Sequence, residues 1–123
     1  MESSIKILKK IILVDDDEDL LFIFNFWLLK KGFLTIALTD DSTLPSFIES
    51  FNPDLILIDI NLKNKDGKQV CQYIKKDLRF KKPVLLFSMH DYSDVDYRPF
   101  YADGFFQKSS DHLAMIHYIS QYI

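Results

Sequence analysis

The chain has 123 residues, 48% of them hydrophobic and 27% charged, which fits one globular domain with its own core and excludes a disordered chain. The formal net charge of −3 argues against a nucleic-acid-binding surface, because such surfaces are usually basic. Cys71 is the only cysteine, which excludes an intramolecular disulfide. The segment Met1–Lys6 does not have the pattern of a signal peptide, and the apolar stretch Leu20–Leu29 is too short to span a bilayer. We therefore expect a cytoplasmic protein without membrane insertion.

Short apolar runs alternate with segments of helical period, which is the pattern of a parallel sheet covered by helices. These runs predict five strands, over Lys10–Val14, Leu34–Leu38, Leu55–Ile58, Pro83–Phe87 and Gly104–Phe106. The sequence therefore predicts an α/β fold, in one domain that covers residues 1–123.

The segments between the strands predict the helices, over Glu18–Lys31, from Asp40–Thr43 to about Phe51, over about Asp66–Leu78, and from Ser110 to about Tyr122. Gly32 ends the first helix, and Asn52-Pro53 forms the turn into the third strand. The apolar positions predicted to face the core are Val70, Ile74 and Leu78 in the third helix and Leu113, Ile116 and Ile119 in the last. Pro99 interrupts the segment from His90 to Ala102, where we expect only a short or distorted fourth helix.

Five polar residues stand at the ends of the predicted strands: Asp15, Asp16, Asp59, Ser88 and Lys108. Parallel strands of one sheet bring such residues together at its carboxyl edge, where open α/β folds keep their sites. Each residue alone is more often a helix cap, a turn former or a surface lysine. Three carboxylates, a hydroxyl and an ammonium in one cleft suit a divalent cation and a phosphoryl group, and their joint occurrence in sheet order favours such a site.

The chemistry assigns a role to each of these residues. Mg²⁺ prefers oxygen ligands and retains waters, so adjacent Asp15 and Asp16 suit one direct and one water-mediated ligand. Asp59 suits both a ligand and the nucleophile of aspartyl-phosphate chemistry. Lys108 would neutralise the phosphoryl charge, and the Ser88 hydroxyl would donate a hydrogen bond to a phosphoryl oxygen.

Over essentially its whole length the chain resembles the CheY-like receiver domains of two-component response regulators. The segments that carry the resemblance are Val14–Leu20, Pro53–Gly67, Pro83–Ser88 and Lys108. It implies a doubly wound, flavodoxin-like sheet of order 2-1-3-4-5 with helices on both faces. The resemblance also implies a phosphoacceptor Asp59, a direct Mg²⁺ ligand Asp16, a water-mediated ligand Asp15, and the Asn61 backbone carbonyl as a further ligand. Phe105, together with Ser88, resembles the family's switch.

The resemblance also implies partners and an activity class. We expect a signalling module and not an enzyme, phosphorylated by a histidine kinase or histidine phosphotransfer protein and acting on a downstream protein target. Two other functions stay open: a receiver-like interaction module that does not switch, and a phosphotransferase acting on a small substrate.

Three residues and one segment depart from the family's usual pattern. Lys63 replaces a proline and is expected to relax its loop, and bulky Met89 replaces a small residue and is expected to crowd the site. Ser109 replaces a cis-proline, so a trans bond is expected there, since a cis bond before a residue other than proline costs about 3–4 kcal/mol. The segment from Ser88 to Phe105 is shorter than usual, which puts switching in question.

The first predicted helix is apolar on two sides. Leu20, Ile23, Phe24, Trp27 and Leu28 cluster on one side at helical spacing and are expected to face the sheet. Phe22, Phe26 and Leu29 form a second stripe opposite them. Either neighbouring loops and the last helix cover this stripe, or it is a docking face for a helical partner.

Overall fold

A computed structural model describes residues 7–92 and 94–123 of the chain. The strands are β1 (Lys10–Val14), β2 (Leu34–Leu38), β3 (Leu55–Asp59), β4 (Val84–Ser88) and β5 (Gly104–Gln107). The helices are α1 (Glu18–Lys30), α2 (Leu44–Phe51), α3 (Gly67–Gln72) and α4 (His112–Ser120). A π-helical segment, Tyr73–Asp77, continues α3, and Arg98–Phe100 form a 3₁₀ turn.

All five strands are parallel and lie in the order β2-β1-β3-β4-β5, which confirms the predicted doubly wound sheet. The strand order reverses between β1 and β3, and open α/β folds bind their ligands at such a switch point. Val14 lies opposite Ile58 in the register of these two strands. The residues that follow, Asp15 and Asp59, therefore leave the sheet side by side.

The core has two parts, one on each face of the sheet, because successive strand residues point to opposite faces. On one face, Ile11 and Leu13 of β1 pack in the same cluster as residues of α1 and α4. On the other, Ile12 and Val14 pack with residues of α2 and α3. Strands buried on both faces are apolar throughout, which is why their sequences read as continuous apolar runs.

Local signals explain where several helices begin and end. Asp17 caps α1, Asp66 caps α3 and Asp111 caps α4, each accepting a backbone N–H of the first turn. Gly32 follows α1 with φ +95°, a conformation that glycine adopts without a side-chain clash. The helix predicted from Ser110 to about Tyr122 spans only His112–Ser120 in the structure, and its start is set by the cap Asp111.

Three residues predicted to face the core do not. Ile23 of α1 is 44% exposed, whereas Leu21, which the pattern did not single out, is buried. Leu113 is 52% exposed because it lies outside the helical stripe that Met115, Ile116 and Ile119 bury.

Leu78 is 38% exposed because of the π-helical turn before it. The Leu78 N–H donates to the Tyr73 carbonyl, five residues back, so this turn contains one residue more than an α-helical turn. The extra residue rotates Leu78 away from the inner face that Val70 and Ile74 share.

The connection from β4 to β5 matches the expectation of a short element. Its described helical part is the 3₁₀ turn Arg98–Phe100, which includes Pro99. The Pro99 carbonyl accepts a hydrogen bond from the Gln72 side chain, so this turn packs against α3. Across residues 7–92 and 94–123, no helix is both long and apolar enough to span a bilayer.

Candidate functional site

The predicted carboxylates meet at the carboxyl edge of the sheet. Asp15 directly follows β1 and is fully buried, Asp59 ends β3 and is 3% exposed, and Asp16 is partly exposed. Carboxylate oxygens of these three residues lie within 4.8 Å of one another. The structure therefore brings together the three acidic residues of the predicted site.

Lys108 links two of these carboxylates. Its Nζ lies 2.8 Å from Asp15 Oδ2 and 3.0 Å from Asp59 Oδ2, and its side chain is only 4% exposed. The Lys108 backbone N–H donates to the Ser88 carbonyl at 2.7 Å, which positions the lysine beside the end of β4. One ammonium thus contacts two of the three clustered carboxylates, so the cluster has an excess of negative charge that favours a cation.

The electrostatics of the cluster follow from its burial. Burial raises the pKa of Asp15 from its ordinary 3.8 to about 6, although the Lys108 ammonium and the Asp17 N–H act in the opposite direction. The negative charge of Asp59 is a smaller contribution to this rise. Burial disfavours the ammonium of Lys108 as well, but the two carboxylates outweigh it and the pKa of Lys108 is raised. The cluster therefore holds one carboxylate that is costly to ionise.

Ser88 and Asn61 lie next to Asp59. The Ser88 hydroxyl is fully buried and donates a 2.7 Å hydrogen bond to Asn61 Oδ1. The Asn61 backbone N–H donates to Asp59 Oδ1 at 3.0 Å. Each oxygen of Asp59 thus has its own partner, the Asn61 N–H for Oδ1 and the Lys108 ammonium for Oδ2.

Gly67 allows the loop after β3 to close over the site. Its N–H donates to the Ile60 carbonyl at 2.8 Å, and a β-carbon at this position would lie only 2.0 Å from the Asp59 carbonyl oxygen. Any other residue would force the backbone of Asp59 to move. The requirement for glycine here arises from close backbone approach and not from a special φ angle.

The donor set fits a hard divalent cation. Asp15 Oδ2 is buried and contacts Lys108 without an aligned hydrogen bond, so this oxygen retains unused acceptor capacity. Mg²⁺ prefers such carboxylate and carbonyl oxygens and fills its remaining positions with water. Asp15, Asp16 and Asp59 satisfy this chemistry in the positions the sequence predicted.

Comparison with known proteins identifies the family. The family described as the response regulator receiver domain matches residues 11–120. The chain belongs to this receiver family. Receiver domains are signalling modules and generally not enzymes.

Solved receiver structures share the fold. The chemotaxis protein CheY4 of Vibrio cholerae superposes with a TM-score of 0.86 at 15% identity, over 95% of this chain and 100% of that chain. The response regulator TrrA of Thermotoga maritima, solved with Mg²⁺ and BeF, gives 0.83 at 20% identity, over 94% and 100%. The BeF₃-activated receiver domain of Klebsiella pneumoniae RstA gives 0.82 at 21% identity, over 93% and 97%. At these identities the likeness establishes the fold of the receiver.

The three residues that depart from the receiver pattern are visible in the structure. Lys63 is exposed, in a loop whose ends Asn61 and Asp66 join as an antiparallel bridge. Met89 is 63% exposed, and its carbonyl accepts a hydrogen bond from the Gln107 side chain. The described residues contain no cis peptide bond, so the bond between Lys108 and Ser109 is trans, as predicted.

The aromatic residue of the predicted switch, Phe105, is partly buried between two tyrosines. Its ring stacks on Tyr97 with centroids 5.4 Å apart and meets Tyr92 edge-on at 6.3 Å. The Tyr97 hydroxyl donates to the Tyr92 carbonyl at 2.7 Å. These contacts join Phe105 to the segment between β4 and β5.

Two contributors to the site were not predicted: the side chain of Asn61 and Tyr92. Asn61 was expected to act through its backbone carbonyl, and the sequence has no pattern around Tyr92 that indicates a site. Asn61 Nδ2 donates to the Tyr92 hydroxyl at 3.4 Å, although 31 residues separate them. Only the packing of two loops reveals this contact.

Proposed function

We propose that this chain is a phosphorylatable cytoplasmic receiver that accepts a phosphoryl group on Asp59, with Mg²⁺ as its cofactor. The donor is a histidine kinase or histidine phosphotransfer protein, and the signal leaves through contact with a downstream protein. One observation carries the proposal. The Asp59 carboxylate lies 3.0 Å from the Lys108 ammonium, within a cluster of three carboxylates at the switch point of the sheet.

The proposed step is a displacement at phosphorus. An Asp59 oxygen forms a bond to the phosphorus of the donor phosphohistidine while the phosphorus–nitrogen bond breaks, and its electron pair stays on the imidazole. Acetyl phosphate supplies the same group by breaking its phosphorus–oxygen bond to acetate. Neither case requires a general base, because an ionised carboxylate has no proton to lose.

The surrounding residues position and neutralise the phosphoryl group. Lys108 already contacts Asp59 and provides a positive charge for the phosphoryl oxygens. The Ser88 hydroxyl contacts Asn61, whose backbone N–H binds Asp59, and would donate a hydrogen bond to a phosphoryl oxygen. Mg²⁺, held by Asp15, Asp16, Asp59 and the Asn61 carbonyl, would reduce the repulsion between the carboxylate and the phosphoryl oxygens.

The exposed face of α1 supports a protein partner. Phe22 is 76% exposed, Phe26 47% and Leu29 48%, so the described residues leave this stripe open to solvent. The interpretation that neighbouring parts of the described chain cover it is therefore wrong. Since α1 begins at Glu18, two residues after Asp16, we propose that the phosphodonor protein docks on this stripe and reaches Asp59 from there.

The packing of Phe105 favours a second candidate function, a receiver-like module that does not switch. Its ring is already held between Tyr92 and Tyr97, and the 3₁₀ turn at Arg98–Phe100 is the described helical element between β4 and β5. Perturbation of amide signals on phosphorylation separates the two functions. In a switching receiver we expect phosphorylation to perturb amide signals near residues 92–101 as well as around Asp59, whereas in a static module it perturbs the acidic cluster alone.

Intact-mass measurement after treatment with acetyl phosphate and Mg²⁺ tests the proposal. We expect the wild-type protein to gain the mass of one phosphoryl group, and we expect Asp59→Asn to gain none. Asp77→Asn is the matched control, since Asp77 is an exposed carboxylate at the end of the π-helical segment. Labelling that persists in Asp59→Asn, or that never occurs in the wild type, would contradict the proposed function.

A further inference from the structure

The hydroxyl of Ser88 is already engaged in the unphosphorylated protein. It accepts a hydrogen bond from the His90 N–H at 3.1 Å and donates its proton to Asn61 Oδ1 at 2.7 Å. A serine hydroxyl has a single proton to donate. Ser88 therefore cannot donate to a phosphoryl oxygen on Asp59 while it donates to Asn61.

The other end of the Asn61 side chain contacts Tyr92. Asn61 Nδ2 lies 3.4 Å from the Tyr92 hydroxyl, which completes a hydrogen-bonded chain from Ser88 through Asn61 to Tyr92. The Tyr92 ring lies against Phe105 at 6.3 Å and beneath the Lys68 ammonium at 5.8 Å. Tyr92, which belongs to the segment after β4, thus contacts the loop after β3 through Asn61, α3 through Lys68 and β5 through Phe105.

We propose that Asn61 and Tyr92 are positioning residues, which hold the Ser88 hydroxyl away from Asp59 until the phosphoryl group competes for its proton. This inference rests on the proposed phosphorylation of Asp59. When a phosphoryl oxygen accepts the hydrogen bond of the Ser88 hydroxyl in place of Asn61, Asn61 Oδ1 loses its donor and the side chain of Asn61 is free to turn. The hydrogen bond to Tyr92 then breaks, and the position of the Tyr92 ring reports the state of the site.

This chain of hydrogen bonds is separate from a rotation of Phe105. Tyr92 touches both Asn61 and Phe105, so movement of Phe105 alone would also disturb the Tyr92 ring. Only the hydrogen-bonded chain requires the side chain of Asn61, whereas a rotation of Phe105 disturbs Tyr92 without it. Removing that side chain disconnects Ser88 from Tyr92 and leaves the contact between Tyr92 and Phe105 in place.

Fluorine NMR of protein labelled with 3-fluorotyrosine measures the position of Tyr92, and the variant Tyr92→Phe identifies its resonance. We expect this resonance to shift when beryllofluoride and Mg²⁺ are added to the wild type. In Asn61→Ala we expect it to differ already without ligand, and to shift no further when they are added. Asn64→Ala is the matched control, since Asn64 is exposed and lines the same hollow of about 490 Å³ beside Tyr92. This control is expected to behave like the wild type.

Labelling by acetyl phosphate gives a second measurement. In Asn61→Ala the Ser88 hydroxyl no longer donates to Asn61, so the initial rate of labelling should rise on the order of fivefold, which corresponds to the free energy of one neutral hydrogen bond. The rate for Asn64→Ala should equal that of the wild type. A Tyr92 resonance that shifts equally in Asn61→Ala and the wild type, or an unchanged labelling rate, would overturn the inference while leaving the phosphorylation of Asp59 established. Absence of any mass gain in the wild type would overturn the proposed function and this inference with it.

Discussion

Replacement of Asp15 by asparagine should stabilise the protein in the absence of metal. Asp15 is fully buried, and the pKa of its carboxyl rises to about 6 because burial outweighs the attraction of Lys108. Asparagine has nearly the same shape but no charge. Lys108 keeps its second partner, Asp59, at 3.0 Å, so the substitution leaves no unpaired ammonium.

The expected magnitude follows from the pKa. A tenfold change in an acid constant corresponds to about 1.4 kcal/mol, so a rise from 3.8 to about 6 makes the ionised carboxylate cost about 3 kcal/mol at neutral pH. Solvent at the mouth of the cleft screens part of this charge. We therefore expect Asp15→Asn to raise the free energy of unfolding by about 2 kcal/mol at pH 7.5 in a chelating buffer.

The pH dependence has a definite sign. Because the folded protein binds the Asp15 proton more tightly than the unfolded chain does, the contribution of this group to stability falls as pH rises from about 4 to above 6. The advantage of Asp15→Asn should therefore be full above about pH 7 and nearly absent at pH 4. Urea unfolding followed by circular dichroism at several pH values measures both quantities.

Asp19→Asn is the matched control for this substitution. Asp19 is exposed in the first turn of α1 and close in sequence to the cluster, so its replacement should change stability by no more than about 0.5 kcal/mol. Added Mg²⁺ should stabilise the wild type more than Asp15→Asn, since the variant lacks one ligand. A variant less stable than the wild type at pH 7.5 would refute the electrostatic reasoning.

Three further predictions concern other parts of the structure. Phe26→Ser should change the free energy of unfolding by less than about 1 kcal/mol and leave labelling by acetyl phosphate intact, but it should weaken phosphoryl transfer from a phosphorylated partner protein. Leu113→Ser, a control at a similarly exposed position of α4, should leave that transfer unchanged. A decrease of about 3 kcal/mol in the free energy of unfolding of Phe26→Ser, as expected for a buried aromatic residue, would contradict the docking proposal. Gly67→Ala should lower the free energy of unfolding by about 3 kcal/mol and impair labelling by acetyl phosphate, because the added β-carbon meets the Asp59 carbonyl. Gly32→Ala should lower the free energy of unfolding by only about 1 kcal/mol and leave labelling unchanged. Equal effects of the two substitutions on labelling would refute the role of Gly67. The buried Cys71 thiol, whose pKa burial raises to about 12, should react with iodoacetamide only in unfolded protein, and rapid alkylation of the native protein at pH 8 would contradict its burial.

The three central strands, β1, β3 and β4, were predictable because nearly all of their residues are buried. Strands covered on both faces leave no polar positions, so runs such as Ile11–Val14 and Leu55–Ile58 stand out in the sequence without any structure. Parallel strands in turn place the residues after them on one edge, which is why Asp15, Asp59 and Lys108 were assigned to one site before their distances were known. The resemblance to receiver domains then supplied the strand order.

The faces of the helices were predictable only in part. Apolar residues surround most of α1, so the period of the sequence does not indicate a single inner side, and Ile23 was placed inward although it is 44% exposed. In the helix after Asp66, a π-helical turn changes the phase before Leu78. A period assumed to be constant cannot anticipate that change.

The state of the site was decided by tertiary structure. The largest cause of the raised pKa of Asp15 is burial and not the negative charge of Asp59, and burial depends on how the whole edge of the sheet is covered. The hydrogen bonds from Ser88 to Asn61 and from Asn61 to Tyr92 join residues 27 and 31 positions apart. The types of residue at this site, and therefore its chemistry, are written in short local patterns. Which of those residues touch one another depends on the relative placement of loops from different strands, and no local pattern encodes that placement.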